Sequence, residues 1–324
     1  MRVDRIITRI ITACALLLAA GCAASPAATT APATTPPTTT LPAAAAAAAP
    51  PPPSTFLAST DGDTDLVEVD AASGTVLRTL VDLGSPERSD PNAAPPRSID
   101  GVARTPDRQT IYFSAGPEPA ISTLYRVGAA GGEPEQIGQG NSPAVDSSGR
   151  YLAYAAGPWL TVRDLTTGTE RTWGPAASNE FVNGPLSWEP GGSRVAFTMG
   201  SGARQGIGVV DTAVPGPLNG PLQFGPGEHG MFSPILVDGS TVQAVVSCCA
   251  EQAAYGVAGS EIVTVDLRTG SVTDRRTPAQ PVQQVVGDGA GHQLVTTVPD
   301  PTTGKRAVLA GDTVRLDDAT FAGW

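Results

Sequence analysis

The chain has 324 residues, of which 20 are basic, 31 acidic, 2 histidine and 4 cysteine, for a formal net charge of −11. Such a surface lacks the cationic patches whose counterion release drives nucleic-acid binding, which argues against a nucleic-acid partner. Four cysteines are too few for a disulfide scaffold, so apolar burial has to hold the fold together.

In chain order, the first element is a targeting segment. Arg2, Arg5 and Arg9 form a basic start, and residues 10–20 form an apolar run too short to cross a bilayer as an ordinary helix. The run ends in "LLLAAGC", with Ala19, Ala20 and Gly21 directly before Cys22. This resembles a bacterial lipobox, although Ala19 stands where that motif more often has Leu. The resemblance implies cleavage before Cys22, lipidation of that cysteine with diacylglycerol and palmitate, and anchoring to the outer face of the cell membrane. Loss of residues 1–21 removes three arginines and Asp4, leaving a chain with a net charge near −13 whose single lysine is Lys305.

Residues 22–53 begin with Cys22 and continue as an Ala/Pro/Thr-rich stretch with neither charge nor aromatic residue. Such a composition cannot bury enough apolar surface to offset chain entropy, so a disordered, partly polyproline-like stalk is expected. Fully extended, it would reach up to about 95 Å. Its Thr-Pro-Ala density also suits O-glycosylation.

Residues 54–324 form the body, in which short alternating apolar runs recur between Gly, Pro and Asp turns. The stretches "TPDRQTIYFSAG" (105–116), "DSSGRYLAYAAG" (146–157) and "EPGGSRVAFTMG" (189–200) align, with aromatic anchors Phe113, Tyr154 and Phe197 that are 41 and 43 residues apart. Weaker copies fall at 237–247 and 287–297. A second unit follows, as in "LVEVDAASGTV" (66–76), "LYRVGAAGGEP" (124–134), "LTVRDLTTGTE" (160–170) and "IVTVDLRTGSV" (262–272). Asp or Gly opens each turn and Gly closes it, which predicts a type I turn with a G1 bulge and a glycine at positive φ. The Asp side chain is placed to accept from the turn amides.

The unit is therefore four strands in roughly 40–50 residues, the blade period of a β-propeller. Blades 2 to 6 are expected at 98–140, 141–178, 181–228, 230–278 and 280–316. Residues 54–84 supply three strands and lack an innermost one. The aromatic terminal stretch "DATFAGW" (318–324) matches that missing strand, so the expected fold is all-β: a six-bladed propeller whose C-terminal strand closes blade 1. A seventh blade would require residues 84–98 to pair as strands.

"SSGRYLAY" and "PGGSRVAF" resemble the S-P-D-G-K-x-I-A-F repeat of TolB-like and WD-repeat-like propellers, over about 270 residues. The resemblance implies this fold and a habit of binding partners. It departs from TolB in having only the stalk, and no α/β domain, before the propeller. The Ala/Arg/Gly/Pro excess with almost no Lys also resembles actinobacterial proteins.

Residues able to carry chemistry are sparse. His229 falls in the connection between blades 4 and 5, and His292 in a turn of blade 6; each is expected to be a surface or turn residue. No G-x-S-x-G elbow occurs. "DGDTDLVEVD" (61–70) places Asp61, Asp63 and Asp65 like a calcium loop. Leu66 and Ala72, however, stand where such a loop needs Gly and a bidentate Glu, so a turn is expected. The neighbours Cys248 and Cys249 suit a vicinal disulfide, two free thiols, or a redox or soft-metal site. The starts of the inner strands, with Arg97, Asp100, Asn141, Asn183, Phe232, Gln283 and Gln284, are expected to line the channel rim.

The composite expectation is a lipid-anchored, extracytoplasmic propeller that binds a protein or cell-envelope ligand without catalysing a reaction and without a cofactor or metal. The alternatives are a metal-dependent channel enzyme of lactonase or lyase type and a redox or copper-handling lipoprotein using Cys248 and Cys249.

Overall fold

The computed structural model describes residues 51–60, 62–84, 97–117, 122–174, 181–201, 204–214, 216, 218, 229–247 and 259–324. Among them every regular element is a β-strand, and every strand pairing is antiparallel. The strands assemble into six antiparallel blades, a six-bladed β-propeller, with the fifth and sixth joined by a single bridge between Gly259 and Val282.

Blade 1 holds β1 (Thr55–Thr60), β2 (Asp65–Asp70) and β3 (Val76–Asp82). Blade 2 is β4 (Ser98–Arg104), β5 (Thr110–Gly116), β6 (Thr123–Gly128) and β7 (Glu135–Gln139). Blade 3 is β8 (Asn141–Val145), β9 (Tyr151–Ala156), β10 (Trp159–Asp164) and β11 (Glu170–Trp173). Blade 4 contributes β12 (Phe181–Trp188), β13 (Arg194–Ser201) and β14 (Arg204–Asp211). Blade 5 is β15 (His229–Leu236), β16 (Thr241–Ser247), β17 (Gly259–Asp266) and β18 (Ser271–Arg276). Blade 6 is β19 (Val282–Gly287), β20 (Gln293–Thr297), β21 (Ala307–Ala310) and β22 (Thr313–Asp317). The last strand, β23 (Ala322–Gly323), pairs with β1, so the order in blade 1 is β23-β1-β2-β3. The terminal aromatic stretch is thus the inner strand of the first blade.

Burial follows from the strand period of two. Both faces of a blade meet a neighbour, so alternate residues along a strand go to different joints. On β5, Phe113 packs into the joint with blade 1 beside Leu57 and Leu66, whereas Tyr112 packs toward Leu152 and Tyr154 of blade 3. Blade 3 repeats this with Tyr154 facing backward and Ala153 forward, and blade 4 with Phe197 and Ala196. The aromatic anchors of the sequence repeat therefore fill the joint with the preceding blade. Six apolar clusters result, one in each joint of the ring.

The Asp–Gly turns form as their spacing requires, three as outer hairpins and one, at Asp300, between the second and third strands of blade 6. Asp70, Asp164, Asp266 and Asp300 each accept, through one carboxylate oxygen, from the amides two and three residues on, at 2.7–3.1 Å. The glycine four residues on donates to the Asp carbonyl and sits at φ +68 to +74°, where a Cβ would be strained. The turn amides, Ser73 and Thr269 foremost, hold the Asp70 and Asp266 carboxyls below the usual range.

The joint between blades 6 and 1 is made by residues from opposite ends of the body. Ser59 N donates to Phe321 O at 2.9 Å, Phe321 N to Ser59 Oγ at 3.0 Å and Thr320 N to Ser59 O at 3.2 Å. Phe56, Val67 and Val69 pack there against Leu294, Val308, Ala319 and Ala322. The rings of Phe56 and Trp324 meet edge-on at 6.3 Å. Substituting Ala322, which is 2% exposed, by Glu places an unpaired carboxylate in this joint. Ala322→Glu is expected to lower unfolding free energy by about 3 kcal/mol or more, measured by denaturant titration; a loss below about 1 kcal/mol would deny the closing strand its role.

Candidate functional site

The inner strands β4, β8, β12, β15, β19 and β23 surround a central channel of about 670 Å³. Asp100, Asn141, Asn183, Phe232, Gln283 and Gln284 all line it. Arg97 leaves the wall: its Nη1 lies 3.3 Å from Tyr125 Oη in the blade 1–2 joint, so its charge is directed away from the channel. Cys22, Cys248 and Cys249 lie outside the described residues.

The two ends of the channel differ. At one end each inner strand passes to its neighbour through a short turn, at 105–109, 146–150, 189–193, 237–240 and 288–292. Charged residues gather there but are engaged locally. Asp146 accepts from Tyr151 N at 2.7 Å, Glu189 forms a two-point pair with Arg194, and Asp288 accepts from His292 N and meets His292 Nδ1 at 2.6 Å. Arg104 and Arg108 converge on blade 1 instead. Arg104 and Arg78 bond Glu68, and Arg108 bonds Thr55 O at 3.0 Å. Burial raises the Glu68 carboxyl, but Arg78, Thr55 and Arg104 outweigh it and hold it low.

At the other end, where the inner strands begin, the mouth is polar and mostly uncharged. Asp100 is the one charged side chain at this end among the described residues of the wall. Of the described connections on this side, residue 140 and 157–158 are short, whereas 298–306 is longer. Below the mouth the wall is apolar, with Val102, Ala144, Leu186, Trp188, Ile235 and Val285. Trp188 Nε1 donates to Ala144 O across the blade 3–4 joint.

A feature that repeat counting missed shapes the mouth. Ser142-Pro143, Gly184-Pro185 and Ser233-Pro234 occupy matching places on β8, β12 and β15, each where the pairing register shifts. Ser142 and Ser233 take positive φ, 54° and 55°, and a hydroxyl on the second strand of the preceding blade receives each amide: Ser114 for Ser142 and Thr198 for Ser233, both at 3.1 Å. Blade 3 has Ala155 in that place, and the Gly184 amide bonds the Asn183 side chain instead, at 2.9 Å. A Cβ on Gly184 would fall 1.9 Å from Ser142 Oγ, so only glycine lets the two inner strands approach this closely. The recurring small-residue–Pro pair at 142, 184 and 233 was the available signal.

The other sequence candidates resolve as follows. His229 is the first residue of β15, paired with Ser247, rather than part of a connection. His292 belongs to the turn capped by Asp288. Asp63 sits in the β1–β2 turn at φ +73°, where its carbonyl receives Ile99 N at 2.7 Å. Among the described residues no three His, Cys, Asp or Glu side chains group as metal ligands, and no helix is long and apolar enough to cross a membrane.

No protein-family model matches the chain, and no curated protein matches it. Among solved structures it is similar to TolB from Acinetobacter baumannii, with 16% identity over 83% of this chain and a TM-score of 0.55. It spans 65% of that TolB chain. It is also similar to a chain of the nidogen/laminin complex, with 13% identity, 83% of this chain and 97% of that chain covered, and a TM-score of 0.53. What these likenesses share with the chain is the propeller fold.

Asp100 is the perturbed group of the mouth. Burial pushes its carboxyl up to about 6, against the hydroxyls of Ser114 and Ser122, which donate to its two oxygens and pull it down. With the folded value above 3.8, the native state holds more protons than the unfolded chain between about pH 4 and pH 6. Stability carried by this group is therefore present in acid, falls as pH rises through that window and levels off above it. Asp100→Asn removes the effect. Relative to the parent, the variant is expected to gain about 2 kcal/mol on going from about pH 4.5 to about pH 7.5, measured by urea titration at each pH. A stability difference that does not vary with pH would contradict this assignment.

Proposed function

We propose that the protein is a lipid-anchored, extracytoplasmic propeller that binds a protein or envelope ligand at the polar mouth and catalyses no reaction. The observation that carries this reading is the contrast between the two ends of one channel. At the short-turn end the described carboxylates of the wall, Asp146, Glu189 and Asp288, are engaged by their own turns, by Arg194 and by His292. At the other end Gln283 and Gln284 each carry a buried side-chain oxygen without a hydrogen-bond partner, above an apolar wall. Unsatisfied acceptors over an apolar cavity suit a bound ligand, since burying them without one costs free energy.

The lipid anchor rests on the segment before Cys22. Pro53 lines the channel together with Arg104 and Arg108, and Ser54 O receives Ala71 N. The described body thus starts at the short-turn end.

The test uses the full chain. Cys22→Ser is expected to move the protein from the membrane fraction to the medium. Affinity capture from native envelope is expected to yield one stoichiometric protein that is lost with Asn183→Leu. A Cys22→Ser protein that stays membrane-bound would overturn the anchor. A divalent ion bound one-to-one with no captured protein would favour a channel enzyme instead.

A further inference from the structure

The mouth is asymmetric in charge as well as in polarity. Asp100 is 9% exposed and its neighbours are hydroxyls: Ser114 and Ser122 solvate the carboxylate without neutralising it. The cations of the channel, Arg104 and Arg108, stand at the far end and are held on blade 1, while Arg97 is turned to Tyr125. Gln283 and Gln284 lie on β19 at the level of Asp100 on β4, each two or three residues into its inner strand. Gln284 is 7% exposed, and its Oε1 and that of Gln283 find no partner. Phe321 lines the wall just before β23, which runs between those two strands, and Phe232 lines it on β15.

One carboxylate, two amide oxygens and two aromatic rings form a set of acceptors without a cation. An anion would meet Asp100 unscreened in a desolvated site, and a purely apolar group would leave the amide oxygens unpaired. A positive group with several N–H donors satisfies all of them: a charge-assisted bond to the carboxylate, bonds to the amides, and the faces of the phenyl rings for its flank. We propose that the mouth is a cation-recognition site that takes an alkylammonium or guanidinium group through Asp100, Gln283, Gln284 and the rings of Phe232 and Phe321. The inference deepens the partner-binding reading and rests on it for one source of that group, a lysine or arginine side chain displayed by the partner; the other source is a free amine.

The test is calorimetric or saturation-transfer titration of the full-length Cys22→Ser chain with three probes: n-butylammonium, Nα-acetyl-lysine methylamide and the uncharged norleucine counterpart. Both cations are expected to bind and norleucine to bind at least about tenfold more weakly. Asp100→Asn is expected to weaken cation binding about tenfold or more, with Gln284→Leu as a second variant should the first fail to fold. Glu135→Gln, on the exposed outer strand of blade 2, is expected to leave binding unchanged. Norleucine binding as tightly as lysine, or cation binding insensitive to both mouth variants, would overturn the site. Preference for the lysine derivative over butylammonium assigns the group to a polypeptide, and equal affinity assigns it to free amines. Cation binding by a protein that captures no envelope partner would refute the partner-binding reading and leave the cation site standing. A captured partner insensitive to Asp100→Asn would do the reverse.

Discussion

No blade of this protein has a core of its own. Each sheet is one layer thick, and its apolar side chains go alternately to the blade before and the blade after, so the hydrophobic stabilisation resides in the joints. A sheet with two apolar faces requires two neighbours, and only a closed ring gives every blade both. The pairing of β23 with β1 follows from that requirement: it ties the two ends of the body into one sheet and supplies the joint that the linear order of the chain leaves open. The channel is a by-product of closure, and its wall inherits whatever the six inner strands need in order to converge.

Convergence explains why the channel residues look as they do. Inner strands approach one another more closely than outer ones, so small residues, prolines and register shifts accumulate there, as at Ser142-Pro143, Gly184-Pro185 and Ser233-Pro234. Backbone groups displaced from the ladder are taken up by Ser114, Thr198 and the Asn183 side chain. Ser233 Oγ goes further, donating to Val285 O at 3.0 Å and accepting from Val285 N at 2.8 Å, which fastens blade 5 to blade 6. Hydroxyls and amides near the mouth thus divide into those engaged by the scaffold and those, like Gln283 and Gln284, that are not.

Much of this was legible in the sequence, for physical reasons. The aromatic anchors Phe113, Tyr154 and Phe197 mark the period because each fills an equivalent joint, and Asp70–Gly74 or Asp164–Gly168 mark hairpins because a tight turn leaves few alternatives. The terminal aromatic strand was legible because counting strands left a vacancy of matching pattern. The channel positions were found as strand starts, but their roles were not: Arg97 and Asp100 are near neighbours on one chain, yet one turns into a joint and the other into the cavity. The Glu68 cluster brings together Thr55, Arg78, Arg104 and Arg108 from two blades, and no periodicity announces such a meeting. Side-chain direction at the ends of strands is set by three-dimensional crowding, which a repeat alignment averages away.

The pairing of Ala58 with Ala322 also has a kinetic side. As the chain emerges in order, blades 2 to 6 each acquire their strands consecutively, whereas the first hairpin of the body waits for a partner more than 260 residues further on. Until it arrives the nascent molecule is an open arc with an unpaired strand at one end and a bare apolar face at each terminus. Contacts of such sequence separation form slowly, and exposed strand edges in the interval invite association with other chains. An arc of this kind, if released before closure, offers the same edge to a second arc as to its own tail, so the propeller's assembly is a contest between intramolecular completion and exchange of a single short strand between molecules.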